Sequence, residues 1–427
     1  MKRTRTSSVR LSKAKYIIFA LLSILLPFIG LEVGLRIFRT LTKPADFSMS
    51  LRGSSAKNAN SQIRPRQIMV ENLKDPSERY SGPFLIPDPV LHHVWCPYLY
   101  YVNKDRVLIT NRQGWVEDYD VSVVKPANTY RIFYVGDSSV QGMVVPEYKM
   151  VEIVKKRLNE RFGNSGIHFE VINTGTSSYS ILTYYLLVKT DLPMYMPDLV
   201  VLNIDMTDVV QDYVYRQWIV KNNSVDISGI ANNDDVTPYI MTPQGIVRGH
   251  KRSRIFMWLV RHCATAYYLD RALLLQEAKR VALSGEKGDE TANWLALKWT
   301  DSIRENVNLS MQTLASTIKL LKTNGVKVMV TGVPHLPQYE GRWSVKPFEM
   351  LENVAKENGV PYLDTYEGMR KKANGGKLSE FYRENDPTHF NIKGNEAWSE
   401  IQLDFLTDKN NNLLPFDRLA AKTPASR

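Results

Sequence analysis

Residues 131–142 read RIFYVGDSSVQG, and this stretch decides the fold. Ile132 to Val135 form a continuous apolar run closed by Gly136. That is the pattern of a short strand covered on both faces, here ending in a tight turn that carries the hydroxyl of Ser138. Working outward, Met150, Ile153, Val154, Leu158 and Phe162 recur at helical spacing. HFEVIN at 168–173 reads as a second strand, followed by a helical pattern from about Tyr179 to Val188, and DLVVLNI at 198–204 is a third strand. A helix over about Asp301–Leu321 leads to VKVMVTGV, a helix around Phe348–Glu357 leads to VPYLD, and a last helix covers about Lys393–Phe405. Strand–helix alternation repeated over five strands predicts an α/β fold, a five-stranded parallel sheet with helices on both sides. Residues 216–292 interrupt the alternation and read as an insertion with an amphipathic helix around Arg254–Ala282.

In such sheets the functional residues gather in loops at the carboxyl ends of the strands. Gly136-Asp137-Ser138 lies in the first of these loops, and DPTHF at 386–390 precedes the last helix. Together they offer a nucleophile in Ser138, a base in His389 and an orienting carboxylate in Asp386. The bland alternatives are a helix-capping Ser138 and a packed surface His389. Asp137 reads as a carboxylate that fixes the turn or contacts substrate. His335, in GVPHLPQ at the end of the fourth strand, is a candidate substrate contact or a satisfied structural histidine, and Asp208 is a helix cap.

The formal charge of +11 resembles a nucleic-acid signature until its location is read. Lys2, Arg3, Arg5, Arg10, Lys13 and Lys15 supply six of those charges, and elsewhere basic and acidic residues are mixed, so nucleic acid is excluded as a partner. Behind the basic cluster runs YIIFALLSILLPFIGLEVGLRIF at 16–38, whose first sixteen residues are uncharged. Its place argues against a core helix and for a signal peptide or an uncleaved signal anchor; without an A-x-A-like site the anchor is favoured. The positive-inside bias then leaves residues 1–15 as a cytoplasmic tail and exports the rest as an extracytoplasmic domain.

Export would put Cys96 and Cys263, the only two cysteines, where a disulfide can form; one bridge and two separate thiols are both open. Neither sits at metal-ligand spacing, and His92-His93 on a regular strand cannot place both rings on one face. Residues 41–80 are polar and read as a spacer within a membrane-proximal region at 39–128, whose aromatic-rich part, 81–128, packs on the main domain. The expected plan continues with the first part of the α/β domain at 129–215, the insertion at 216–292, the second part at 293–410 and a tail at 411–427.

From about residue 129 to 407 the chain resembles the SGNH, or GDSL-like, hydrolase superfamily. GDSSVQG at 136–142, NTGTSS at 173–178, DMTD at 205–208 and DPTH at 386–389 carry the likeness, in that order. The resemblance implies a flavodoxin-like, three-layer α/β/α architecture and acyl transfer through Ser138, with His389 as base and Asp386 as its carboxylate. It places the backbone amides of Ser138 and Ser178 as oxyanion donors, with Gly175 and Thr207 in the same oxyanion and substrate set. Two departures stand out. Ser178 replaces the usual glycine, and Thr207 stands where the family carries an asparagine whose amide reaches the oxyanion. No metal or cofactor is implied.

Three functional classes follow. The first is an exported, membrane-anchored serine esterase acting on an acyl ester, for example one carried by carbohydrate. The second is an O-acyltransferase modifying an envelope polysaccharide, served by a membrane acyltransferase partner. The third is a binding protein that kept the fold and lost turnover.

Overall fold

The computed structural model describes residues 23, 25–35, 37, 85–103, 106–221, 227–230, 239–242, 245–248, 253–266, 268–270, 272–273, 276, 280 and 290–420. Two compact units are distinguished, a small one with the helical residues before Phe47 and between Arg248 and Glu286, and a larger one with the alternating strands and helices.

The larger unit is built on β1 (Thr129–Val135), β2 (His168–Asn173), β3 (Leu199–Asp205), β4 (Lys327–Val333) and β5 (Tyr362–Leu363). All neighbouring pairs are parallel, in the order β5-β4-β3-β1-β2. This is the flavodoxin-like order, with β1 central and the switch of direction beside it, where the carboxyl ends of the strands leave a crevice. Helices α1 (Met150–Phe162), α2 (Ile181–Thr190), α3 (Asp208–Tyr215), α4 (Asp301–Thr323), α5 (Lys346–Glu357), α6 (Thr365–Ala373) and α7 (Ile392–Thr407) flank it.

The strands read as unbroken apolar runs because both faces are covered. Phe133, Val135, Val200, Leu202, Val328 and Val330 pack with residues of α2, α4 and α5 on one face. Ile132, Tyr134, Leu199, Val201 and Met329 pack with α1 and α7 on the other. The period-two alternation along each strand thus sorts its side chains into two cores, giving three layers.

Departures from the expected boundaries have local causes. Helix α2 starts at Ile181, and Thr183 Oγ1 fixes the entry by accepting from Ser180 N at 2.7 Å. The short α3 and α6 had no separable apolar pattern. Within 81–128, strands Leu85–Asp88 and His92–Trp95 pair antiparallel, as do Tyr100–Asn103 and Arg106–Ile109, while Trp115 and Val121 enter the main core. His92 departs from strand geometry with φ +66°, so the two adjacent histidine rings meet, Nδ1 to Nδ1, at 2.9 Å. The expectation that they point apart fails on that one dihedral angle.

In the smaller unit, the helix expected over 254–282 is broken. Arg254–His262 ends at Cys263, which is extended at φ −126°, and helical residues resume at 264. The restarted helix exposes unpaired N–H groups, and the Glu32 carboxylate takes them: Ala264 N and Thr265 N each donate at 2.8 Å, and Thr265 Oγ1 at 2.9 Å. Cys96 and Cys263 are both reduced thiols. Among the described residues no helix is long and apolar enough to cross a membrane. The greater part of the apolar run preceding Leu25, residues 16–22, lies outside the described residues, as do the spacer at 41–80 and residues 421–427 of the tail.

Candidate active site

Strand β1 delivers the chain to Gly136, where a Cβ would stand 2.3 Å from Val140 Cγ2, so only glycine allows the turn. Asp137 caps the short helix Ser138–Gln141 by accepting from Ser139 N at 2.8 Å. The other end of that helix is tied by the buried Lys149, whose Nζ donates to the carbonyls of Gln141 and Gly142 at 2.8 and 3.0 Å. Burial, with the Arg106 charge, pulls this ammonium down to about 7 against the attraction of Glu152 and Glu117.

On this base the Ser138 hydroxyl lies 2.9 Å from His389 Nε2, and His389 Nδ1 lies 2.8 Å from Asp386 Oδ2. His389 and Asp386 sit on the strand Asp386–Phe390, which pairs with Tyr382–Arg383 just before α7. Thr388 steadies the carboxylate, its hydroxyl donating to Asp386 Oδ1 at 2.8 Å. All three members are half-buried. Burial pushes the Asp386 carboxyl up, but the hydrogen bond and charge of His389 and the donors of Thr388 hold it well below the usual range. Burial pulls His389 down, yet the Asp386 bond and charge, with Asp137 and Asp205 behind, leave it raised. The three residues singled out from the sequence therefore converge. A cleft of about 540 Å³ is bordered by Asp386, alone of the three, with Tyr382, Arg383, Asn385 and Asn391 among its other lining residues.

A second polar network lies beneath. Asp205, at the end of β3, accepts from Ser139 Oγ at 2.8 Å, from His335 Nε2 at 3.0 Å and from Thr207 N and Oγ1 at 2.9 and 2.8 Å. Burial opposes its charge, but the His335 interaction and these donors keep its carboxyl below the ordinary range. His335 is 1% exposed and Asp137 3%, so of the two readings of each the substrate contact is not met and the structural one is: both support the turn from below. Burial and the Asp205 charge push Asp137 up to about 7.

The Thr207 hydroxyl has one proton and gives it to Asp205, so it is not a free donor for an oxyanion. Gly175 is corrected too: its N–H goes to Asn173 Oδ1 at 2.9 Å. A Cβ there would meet Gln141 N at 2.2 Å, so its role is close packing of the loop on the nucleophile helix. Ser178 holds φ +64°, the conformation a glycine would take without cost. Among the described residues the backbone N–H groups of Ser138 and Ser178 donate to no other group.

Asp137, Asp205 and Asp208 bring carboxylate oxygens within 4.8 Å of one another, all buried. Each is met by protein donors, Asp208 by Asp205 N at 3.0 Å and Tyr184 Oη at 3.2 Å, which makes the cluster a frame for the strand ends. Asp208 therefore braces β3, where a simple helix cap was expected. Sequence reasoning missed the contributions of Ser139, Thr388 and Lys149, since hydroxyls and a lone lysine carry no spacing signal.

No family model matches the chain, and no curated protein is similar to it. Several solved structures are similar to part of it. One is a lipase/acylhydrolase from Enterococcus faecalis, at 14% identity over 65% of this chain and 95% of that one, TM-score 0.33. Another is the acetyl xylan esterase AlAXEase, at 14% identity over 64% and 98%, TM-score 0.35. A third is a two-domain esterase active on acetylated mannans, at 12% identity over 70% of this chain and 51% of that one, TM-score 0.36. At these scores the functional reading rests on the site's own geometry.

Proposed function

We propose that the chain is a serine ester hydrolase of SGNH type, which cleaves an acyl ester through an acyl-serine intermediate. The observation that carries this reading is the unbroken relay from Ser138 Oγ to His389 Nε2, 2.9 Å, and from His389 Nδ1 to Asp386 Oδ2, 2.8 Å. Because the carboxylate can only accept, Nδ1 carries the ring proton and Nε2 presents a lone pair to the hydroxyl. His389 takes the Ser138 proton as Oγ bonds to the ester carbonyl carbon, and the negative charge that develops on the carbonyl oxygen is received by the amides of Ser138 and Ser178. The imidazolium, stabilised by Asp386, returns its proton to the departing alkoxide. Water then adds to the acyl-serine by the same path, and the acid leaves.

A carbohydrate-borne ester is the substrate class we assign, because the cleft that Asp386 borders is lined by Ser379, Glu380, Arg383, Glu384 and Asn385, polar groups suited to a hydroxylated ligand. We also propose that the enzyme is exported and held to a membrane by residues 16–38. The hydrolase reading is tested by the turnover of p-nitrophenyl acetate and by labelling with a fluorophosphonate. Ser138→Ala is expected to lose both while its thermal transition stays in place; purified Ser138→Ala with undiminished turnover would remove Ser138 as nucleophile.

A further inference from the structure

The loop that carries Ser178 is a β-turn in which Tyr179 N donates to Thr176 O at 3.1 Å. Of its two central residues only Ser178 takes a positive φ, +64°, which makes the turn type II. Type II and type I turns differ by a reversal of the central peptide, here Ser177–Ser178. For a residue with a Cβ the type I form is the easier one, since it returns the second central residue to negative φ. In a trans peptide the Ser177 carbonyl and the Ser178 N–H point opposite ways, so reversal would put a carbonyl where the proposed oxyanion donor stands.

The disfavoured form is held by two side chains from outside the turn. His93 Nε2 lies 2.8 Å from Ser177 O, and Tyr215 Oη donates to Ser178 O at 2.6 Å. A carbonyl only accepts, so the His93 proton is on Nε2 and its Nδ1 is bare. That bare nitrogen faces His92 Nδ1 at 2.9 Å, which must therefore carry the proton of the second ring. The two neutral rings form a directed chain, His92 to His93 to Ser177. Its geometry is fixed by stacking of His92 on Trp218, 5.6 Å between centroids at 14°, and by Tyr179 Oη donating to His93 O at 2.8 Å. Burial pulls both rings' pKa down, that of His92 to about 4, in keeping with two neutral rings. Both ends of the chain store strain, since His92 also has positive φ.

We propose that His93 is a positioning residue for this site: its hydrogen bond to the Ser177 carbonyl locks the Ser177–Ser178 peptide in the orientation that frees the Ser178 N–H for the oxyanion. This rests on the hydrolase reading above for the donor's use, though not for the lock itself.

The test compares full-length His93→Phe, His93→Gln and His93→Phe/Ser178→Gly by p-nitrophenyl acetate kinetics and by crystal structures. His93→Phe is expected to lower kcat about tenfold to a few hundredfold with KM changed by less than about threefold, approaching the loss of one oxyanion donor. His93→Gln, with an amide donor, should recover most of that loss. Adding Ser178→Gly should restore kcat to within about fivefold, because glycine holds the positive φ unaided. In the crystal the Ser177–Ser178 peptide should be reversed in His93→Phe and native in the double variant. An unreversed peptide in His93→Phe, or a loss that Ser178→Gly fails to rescue, overturns the lock. Should His93→Phe not fold, Tyr215→Phe removes the second anchor and is judged by the same reversal and rescue. A wild-type chain with no Ser138-dependent turnover would sink the hydrolase reading, and the peptide orientation would still decide the lock.

Discussion

His389 handles every proton in the proposed cycle, and its neighbours set the pH at which it is free to do so. As a base it must be neutral, and its pKa is raised by Asp386 against the pull of burial. Activity should therefore rise with pH through an inflection above the ordinary imidazole value of about 6.5. Replacing Asp386 with Asn removes the charge that lifts the ring and leaves the burial that depresses it. The inflection should then move to lower pH, while turnover falls on the order of 10⁴-fold by analogy with other triads. Profiles of kcat/KM against pH for the two proteins check this, and identical inflections would show that Asp386 does not govern His389. Ser138, Asp386 and His389 were legible because each sits in a short motif at a strand-end loop. Thr207 was not, since a sequence does not say which neighbour takes a hydroxyl proton. Nor was His93, whose partner Ser177 is 84 residues away.

At the scale of elements, the strands that carry the site could be read and the short pieces that tighten it could not. Strands β1 to β4 announce themselves by apolar runs that need no partner to be recognised, and so do the long helices α1, α4 and α7. Helix α3, the Ser180–Thr183 bond before α2 and the hairpin at 382–390 depend on hydrogen bonds between residues whose side chains suit many loops equally well. Gly175 belongs to this second group. Its missing Cβ lets the 173–180 loop lie on the nucleophile helix, against Gln141 N at 2.2 Å from where a methyl would project. The blocking atoms are backbone, which cannot swing aside. Gly175→Ala should thus cost about 1–3 kcal/mol or more by overpacking. Such a loss would lower the melting temperature by several degrees, at about 2–4 °C per kcal/mol for a domain of this size. It should also lower turnover by displacing Ser138. Thermal melts and kinetics on the same preparation decide it: an unshifted melt would mean that the loop and helix are less tightly joined than the geometry requires.

For the molecule as a whole, the question is where the domain works, and the argument turns on Glu32. It is the first charge after the uncharged run that begins at Tyr16, and its carboxylate is satisfied by Ala264, Thr265 and Cys263 of the insertion. An ionisable group in or beside a membrane segment needs such partners. The helical segments that carry Glu32 and precede Cys263 expose large apolar side chains, with Leu26 61%, Leu31 51%, Ile255 76% and Trp258 57% exposed. In water that surface would be a liability; in lipid it is matched. Both features are in keeping with the proposed tether. If residues 16–38 hold the chain with its basic end inside, the full-length protein should remain with membranes through a wash at about 1 M salt, where surface electrostatics are screened to about 3 Å. Protease added from the exported side should then digest the α/β domain and spare only the short N-terminal tail. A chain recovered in the soluble fraction with its N-terminus beyond residue 30 would overturn the tether. A domain protected from external protease in sealed vesicles would reverse the orientation.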